Sequence, residues 1–177
     1  VELLESRHDW AVFGFTWSQV KFFLTQWIPE TLSHTRNQDV EQVTDHYDRG
    51  NDFYNWFLGP RMIYTSGIIR DTEGRETLEE LQDNKLKLVC DKIQLKPNQK
   101  MLDIGCGWGG MSIEIAKQTG ASVKGITLSE NQYATASKRV QEEGLSEKVS
   151  FQIQDYRKET KKYDRIVSVG MFEHVGI

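Results

Sequence analysis

The chain has 177 residues, of which 38% are hydrophobic and 27% charged, and its formal net charge is −4 at pH 7. This length and composition are typical of one globular domain with its own core and argue against a disordered chain. The negative net charge, without a basic cluster anywhere along the sequence, argues against a nucleic-acid-binding protein.

The sequence also argues against a zinc-binding or disulfide-stapled secreted protein and against a membrane-spanning one. The cysteines, Cys90 and Cys106, have neither a zinc-binding spacing nor a clustered histidine, so we expect no metal site and a reducing, cytoplasmic compartment. No stretch reaches the roughly 18 apolar residues of a membrane span, and the first residues lack the basic start of a signal peptide. Contact with a membrane is therefore expected to be peripheral.

The first predicted element lies in an aromatic stretch, residues 10–32. Its apolar residues recur at steps of three or four, which predicts a helix with one apolar face. That face either packs on the rest of the fold or lies at a membrane interface, where Trp and Phe are favoured. Polar residues 33–45 are predicted to form a linker, so we assign residues 1–45 to an N-terminal helical extension. The residues of the apolar face are Phe13, Trp17, Val20, Leu24 and Trp27.

A second aromatic stretch, residues 46–67, has neither a helix nor a strand period throughout. After it, a helix is predicted from Glu76 to Ile93, and Pro97 follows its end. Cys90 lies on its apolar face and is interpreted as a core residue. That face comprises Leu86, Val89, Cys90 and Ile93.

From Lys100 onward, short apolar strands alternate with helices. Such alternation predicts a doubly wound, mostly parallel sheet covered by helices, a Rossmann-like α/β fold. Ser129, followed three residues later by Gln132, predicts a capping box at the start of the second helix. The predicted strands are Met101–Ile104, Val123–Ile126, Val149–Ile153 and Arg165–Val169, and the predicted helices are Met111–Gln118 and Glu130–Glu143.

The turn after the first strand, residues 103–110, has the sequence DIGCGWGG. Glycines let the backbone pass close to a ligand, and the following helix start offers free N–H groups, so a nucleotide-like cofactor is expected. The GxGxxG spacing also fits dinucleotide-binding folds, with Glu130 at the distance of a ribose-binding acid, so NAD stays open by pattern alone. However, Asp103 would repel a pyrophosphate but suits the cationic amino-acid part of S-adenosylmethionine. Glu130 follows the capping Ser129 and is interpreted as a first-turn acid of the helix.

Five segments resemble, in the same order, the cyclopropane fatty acid synthases and mycolic acid methyltransferases: residues 46–67, 102–110, 125–132, 154–157 and 164–176. This resemblance implies a class I methyltransferase core in residues 100–177, with residues 46–99 as a family-specific helical cap over the site. It implies S-adenosylmethionine as methyl donor and S-adenosylhomocysteine as its product. The implied reaction puts a one-carbon unit on the double bond of an unsaturated phospholipid or sphingolipid acyl chain. The implied partner is therefore a membrane surface, not a nucleic acid, and a homodimer is compatible with the resemblance.

The donor-binding roles of the family carry over to ten matching positions. They are Tyr64 and Thr65, which match a pair that touches the donor; Asp103, Gly105 and Gly107, which match the loop under its methionine part; Thr127, Leu128 and Gln132, which match its ribose and adenine edge; and Asp155 with Tyr156, which match its adenine end.

Two further positions are implied to be catalytic. The glutamate that matches Glu173 helps to hold a bicarbonate ion, which takes the proton whose loss closes the ring. Negative charge there also stabilises the carbocation left by methyl transfer to an alkene. Ser66 stands where the family's backbone helps to bind bicarbonate, and His174 is interpreted as a structural histidine.

Two features depart from the family pattern. Residues 64–67, Tyr-Thr-Ser-Gly, resemble relatives that methylate sphingolipid chains, whose product is a branched methyl rather than a ring. Only about four strands fit between Lys100 and Ile177, fewer than a complete class I sheet needs, so we expect a fragment of a longer protein. The alternatives are a small-molecule methyltransferase and a non-catalytic paralogue that keeps the donor site.

Overall fold

The computed structural model describes residues 16–29 and 50–171, which belong to two separate compact units. In the first unit, helix α1 (Trp17–Phe22) continues as a π-helical turn, Phe23–Trp27, within the predicted aromatic helix. None of the side chains in these two elements is buried. The predicted linker, residues 33–45, lies outside the described residues.

The second unit contains the predicted alternation of strands and helices. Its elements are α2 (Asn51–Leu58), α3 (Leu78–Ile93), β1 (Lys100–Ile104), α4 (Gly110–Thr119), β2 (Ser122–Thr127), α5 (Glu130–Glu142), β3 (Val149–Ile153), a 3₁₀ turn (Tyr156–Lys158) and β4 (Arg165–Ser168). Within residues 50–171, the strands form one parallel sheet in the order β3-β2-β1-β4. The α/β fold predicted from the sequence is confirmed, and from Lys100 onward each predicted element end lies within one residue of the observed one.

Helix α3 begins two residues later than predicted. Thr77 and Glu80 form a reciprocal capping box there, because each side chain bonds the backbone N–H of the other residue. The helix ends at Ile93, and the residue that caps it, Gln94, adopts a left-handed conformation. Of the predicted apolar face, Leu86 and Cys90 are buried, and burial raises the pKa of the Cys90 thiol to about 11.

Helix α2 is an element that the sequence pattern did not predict. Tyr54 and Leu58, four residues apart on one face, are buried. The outward-facing positions also carry aromatic residues: Phe53, Trp56 and Phe57 are exposed. Because both faces are apolar, the helical period is hidden in the sequence.

The main core lies between the sheet and helices α3, α4 and α5. Each of its fully buried aliphatic side chains contributes about 1.5–3 kcal/mol to folding. Its members include Leu86, Cys90, Met101, Met111, Ile113, Ile115, Ala116, Val123, Val140, Val149 and Val167.

The topology of the sheet determines where a ligand site can form. The chain runs outward from β1 through β2 to β3, and then returns to place β4 on the other side of β1. Because all four strands are parallel, their carboxyl ends meet at one edge, and the order of strands reverses beside β1. Open α/β sheets bind their ligands at such a switch point.

Candidate functional site

One cavity at the carboxyl edge of the sheet brings together every residue predicted to bind the donor. The predicted residues that line it are Tyr64, Thr65, Asp103, Gly105, Gly107, Thr127, Leu128, Gln132, Asp155 and Tyr156. Ser66, predicted to be catalytic, is exposed and is not among the lining residues. Glu173 and His174 lie outside the described residues.

The glycine turn passes between β1 and α4 in a conformation that favours glycine. Gly105 and Gly107 have φ values of +75° and +55°, and the N–H groups of Gly105 and Cys106 both donate to the carbonyl of Ile126, at 2.9 and 3.1 Å. A Cβ added at Gly105 would lie 2.8 Å from the Met171 side chain, whereas at Gly107 it would meet no atom of the described residues within 4 Å. Gly107 therefore faces open space on the cavity side of the turn, where a ligand can approach the backbone.

Asp103 places a buried carboxyl group against this cavity. It is only 2% exposed, and its Oδ2 accepts a hydrogen bond from Ser112 Oγ at 2.7 Å. Burial raises the pKa of Asp103 to about 6, although the bond from Ser112 acts in the opposite direction. A cation bound in the cavity would favour the ionised carboxylate, whereas a pyrophosphate would meet a repelling charge.

Thr127, Ser129 and Gln132 form a buried hydrogen-bonded group at the end of β2. Thr127 Oγ1 donates to Gln132 Oε1 at 2.7 Å and accepts from the Ser129 N–H at 3.2 Å. Ser129 Oγ caps α5 by accepting from the Gln132 N–H at 3.3 Å. The predicted capping box is therefore only half correct, because the Gln132 side chain bonds Thr127 instead of returning to the Ser129 backbone. Glu130 is the exposed first residue of α5, as expected of a first-turn acid.

Asp155 and Arg157 form an ion pair that the sequence interpretation missed. Arg157 donates from Nη2 to Asp155 Oδ2 at 2.6 Å and from Nε to Oδ1 at 3.0 Å, and both residues line the cavity. The guanidinium holds the pKa of Asp155 below its usual value. The cavity is therefore bordered by two carboxyl groups in opposite electrostatic environments. The sequence signal for this ion pair was an acidic and a basic residue separated by one position at the start of a helical turn.

An aromatic segment, residues 50–65, forms the other side of the cavity. Trp108 of the glycine turn is buried and packs on Tyr54, with ring centroids 4.9 Å apart. Its Nε1 donates to Asn51 Oδ1 at 2.7 Å, and Asn51 Nδ2 donates to Thr135 Oγ1 of α5 at 2.8 Å. These bonds join the aromatic segment to the turn and to α5. A large aromatic residue inside a glycine-rich turn was the one sequence signal for this contact.

Thr65 brings an unsatisfied polar atom to the cavity. Its Oγ1 is buried and has no hydrogen-bond partner among the described residues, although Thr65 lines the cavity. Such a group costs about 1–3 kcal/mol unless a ligand or water completes its bonding. No group of His, Cys, Asp and Glu residues in the described part of the chain could hold a metal ion.

Comparisons with known proteins agree with this architecture. Residues 34–177 match the family model described as mycolic acid cyclopropane synthetase. A sphingolipid C9-methyltransferase of Komagataella phaffii is 52% identical over the whole of this chain. The structure of the cyclopropane synthase MmaA2 from Mycobacterium tuberculosis is 36% identical, with a TM-score of 0.72, over 76% of this chain and 47% of that one.

A second similar solved structure contains bound ligands. Mycolic acid cyclopropane synthase CmaA1, in complex with SAH and CTAB, is 32% identical with a TM-score of 0.72, over 76% of this chain and 47% of that one. The present chain spans 38% of the length of the Komagataella relative.

Proposed function

Because this chain belongs to the mycolic acid cyclopropane synthetase family and has the class I methyltransferase fold, we propose that it forms the donor-binding part of a lipid methyltransferase. The proposed donor is S-adenosylmethionine, and the proposed acceptor is a carbon of a double bond in the chain of a sphingolipid. The single observation that carries the proposal is the convergence of ten motif residues on one cavity at the switch point of the sheet.

Three features of the cavity support a sulfonium donor. Thr65 Oγ1, which has no partner among the described residues, can form a hydrogen bond with the ligand, and the open side of Gly107 leaves room for the ligand. Asp103 offers a carboxylate to a cationic group, which would offset the cost of its burial. When bound, the donor supplies an electrophilic methyl group. The chain's own contribution is to hold that methyl group in a fixed position and to exclude water from it.

The choice of a sphingolipid rests on two observations. Residues 64–67 read Tyr-Thr-Ser-Gly, a sequence that resembles sphingolipid-methylating relatives, and a sphingolipid C9-methyltransferase is 52% identical across the whole chain. We therefore propose a methyl branch as the product, in place of a cyclopropane ring. The bicarbonate assignment rests on the resemblance alone, because Glu173 lies outside the described residues and the Ser66 side chain is exposed.

Contact with a lipid surface is part of the same proposal. The short helical segment that begins at Trp17 exposes Trp17 by 80% and Trp27 by 49%, and Trp is favoured at the boundary of lipid headgroups. None of the described helices is long and apolar enough to cross a membrane. Replacing both tryptophans by Ser should reduce binding to liposomes, and unchanged binding would remove this element from the proposal.

The competing assignments differ in their ligands. A dinucleotide-binding protein would bind NAD through the glycine turn and would make no use of Asp155 and Tyr156. A non-catalytic paralogue would bind S-adenosylhomocysteine and give no product. Competition of NAD against labelled S-adenosylhomocysteine separates the first alternative from the proposal.

The deciding experiment supplies methyl-labelled S-adenosylmethionine and vesicles to the chain and, in parallel, to its full-length parent. One set of vesicles contains a sphingolipid with an unsaturated long-chain base, and a matched set contains an unsaturated phospholipid. We expect label in the sphingolipid chain. Mild hydrogenation of the product should add as many hydrogens as hydrogenation of the unmodified lipid does, because a methyl branch leaves every double bond in place, whereas a ring removes one and lowers the uptake by two.

The controls make this experiment decisive. Thr65→Val, which removes an oxygen that has no partner within residues 16–29 and 50–171 and keeps nearly the same side-chain volume, should lower product formation. Label confined to the phospholipid would contradict the sphingolipid assignment. Donor binding without any label from the full-length protein would favour the non-catalytic paralogue.

A further inference from the structure

Gln82 of helix α3 is a buried amide outside the cavity. It is 1% exposed, and its Nε2 donates to two backbone carbonyls of the aromatic segment, Leu58 at 3.0 Å and Ile63 at 3.3 Å. Its Oε1 is buried without a hydrogen-bond partner among the described residues. One side chain thus bonds both ends of the turn that joins α2 to the residues of the cavity, at the cost of an unsatisfied oxygen.

The turn between these two carbonyls is strained. Met62, with φ of +53°, adopts a left-handed backbone conformation that residues other than glycine rarely take. The Met62 N–H donates to the Gly59 carbonyl at 3.1 Å, and Gly59 has a positive φ of +67°, which favours glycine. Such a conformation persists only where the surrounding contacts fix it, and Gln82 supplies a fixed donor on each side of this turn.

The strained turn leads directly into the donor side of the cavity. The Ile63 carbonyl that Gln82 binds belongs to the same planar peptide unit as the N–H of Tyr64, so fixing this carbonyl fixes where Tyr64 and Thr65 begin. The segment also approaches the glycine turn closely, since a Cβ added at Gly110 would lie 2.6 Å from Ile63 Cδ1. A shift of this peptide unit would therefore move the residues that face the ligand.

We infer that Gln82 is a positioning residue of the donor site: it fixes the turn before Tyr64 and Thr65 without touching the ligand, an inference that rests on the donor site proposed above. Gln82 makes two bonds to backbone carbonyls, and its buried oxygen has no partner in the described part of the chain; both features distinguish it from an ordinary polar residue of a helix surface. Its effect is expected on ligand affinity more than on the stability of the fold.

Asn84, two residues further along α3, provides a matched control. Its Nδ2 donates to the backbone carbonyl of Ile68 at 3.0 Å and to Glu76 at 2.6 Å, so it too ties α3 to the preceding chain through an amide. These partners are not among the cavity-lining residues. Gln82→Met and Asn84→Leu each remove the amide with little change in volume.

The test is calorimetric titration of S-adenosylhomocysteine into the unsubstituted chain and both variants, at a temperature where circular dichroism shows all three fully folded. We expect Gln82→Met to raise Kd about tenfold and Asn84→Leu to leave Kd within about twofold of the original value. If Gln82→Met does not fold, Gln82→Asn replaces it, because the shorter amide retains a donor that can reach only one carbonyl, and a smaller increase in Kd is expected.

The outcomes separate this inference from the proposed function. If the unsubstituted chain binds S-adenosylhomocysteine and Gln82→Met binds it equally well, the positioning role is wrong while the donor site stands. An equal loss of affinity in the Gln82 and Asn84 variants would show general destabilisation and would also overturn the inference. If the unsubstituted chain does not bind S-adenosylhomocysteine at all, the donor site itself is contradicted, and the role of Gln82 with it.

Discussion

The two sides of the cavity are built in different ways. On the sheet side, Asp103 and Thr127 lie in the last residues of paired strands, and Asp155 follows the end of β3 by two residues. Their positions follow from the pairing of parallel backbones. On the other side, Tyr64 and Thr65 lie outside regular structure. The chain before them is bonded by side chains of α3 and of the glycine turn, since Gln82 bonds the Ile63 carbonyl and Trp108 bonds Asn51.

This difference separates the two sources of order in the site. Backbone pairing involves many equivalent hydrogen bonds, so a single substitution on the sheet side removes a small part of the total. The aromatic segment is attached through a few buried side chains, so each of them carries a larger share. Substitutions at the junction between the two sides should therefore have the largest effects.

The largest expected effect is that of Trp108→Ala, which breaks the junction itself. Trp108 is buried against Tyr54 and bonds Asn51, so its removal leaves a cavity and an unpaired amide oxygen. The free energy of unfolding should fall by about 3–5 kcal/mol, measured by urea denaturation. Trp56→Ala is the matched control, because Trp56 is 81% exposed and its loss should cost less than about 0.5 kcal/mol. Similar losses in both variants would contradict the role of Trp108 as the junction.

On the sheet side, Asp103 predicts a dependence of stability on pH. Its pKa is about 6 in the folded chain and near 3.8 when unfolded, so the folded state holds the proton more tightly. The unfolded state binds fewer protons in this window, so stability falls as the pH rises from about 4 to about 6, by about 3 kcal/mol. Glu159, whose pKa is lowered to about 2 by Lys124, acts in the opposite sense, and its contribution is complete above about pH 4.5.

Urea denaturation of the unsubstituted chain and of Asp103→Asn between pH 4.5 and pH 7 isolates the contribution of Asp103 to the free energy of unfolding. The Asn variant cannot ionise, so it should gain stability relative to the unsubstituted chain as the pH rises. A difference between the two chains that does not change with pH would refute the buried, neutral carboxyl group. A cationic ligand should reduce the difference, because its charge favours the ionised form.

A smaller effect, on affinity, is expected for Gly107→Ala. The added methyl enters open space beside the turn, where the ligand is proposed to lie, and should weaken binding of S-adenosylhomocysteine about tenfold in calorimetric titration. Gly144→Ala is the control, because Gly144 is also left-handed, with φ of +67°, and its Cβ also meets no described atom within 4 Å, while it does not line the cavity. Both changes impose a similar backbone strain of about 1–2 kcal/mol. Equal affinities for the two variants would show that the ligand does not lie against Gly107.

The smallest expected effect is a gain in stability, and it belongs to the aromatic side. Thr65→Val removes a buried hydroxyl that has no partner in the described part of the chain, so the ligand-free protein should be stabilised by about 1 kcal/mol while its affinity for S-adenosylhomocysteine falls. Thr119→Val removes a hydroxyl that donates to the Ile115 carbonyl at 2.7 Å, so it should lower stability and leave affinity unchanged. Thermal unfolding with and without ligand measures both. A Thr65→Val chain that loses stability would mean that its hydroxyl is bonded within the protein.

The same difference between the two sides explains what could be predicted from the sequence. Strands such as β2 carry their pattern locally, since Val123 and Ile126 are buried between turn signals at both ends. The residues at their carboxyl ends are then placed by topology, so the cavity position of Asp103 followed from the sequence alone.

The aromatic side could not be predicted to the same extent, because its order depends on partners far along the chain. Asn51 meets Trp108 and Thr135, which are 57 and 84 residues away, and no local pattern encodes such a pairing. Gln82 lies one helical turn before Leu86 on the buried face of α3, so its position was predictable. Its role was not, because a polar side chain within a helix is expected to contact solvent and not to bond two backbone carbonyls. The capping box predicted at Ser129 is half wrong for a similar reason, because Thr127 bonds the Gln132 side chain that the prediction placed on the Ser129 backbone.

The pairing of β1 with β4 has a consequence for the order in which the protein acquires its binding capacity. The Lys100 N–H donates to Asp164 Oδ2 at 2.7 Å across 64 residues of sequence, and the strand that follows Asp164 leads into Val169, Gly170 and Met171 at the cavity. Contacts of such long range form late, because closing a long loop costs entropy before any pairing compensates for it. We therefore expect the cavity to be completed late in folding, so a ligand should slow unfolding while leaving the refolding rate almost unchanged.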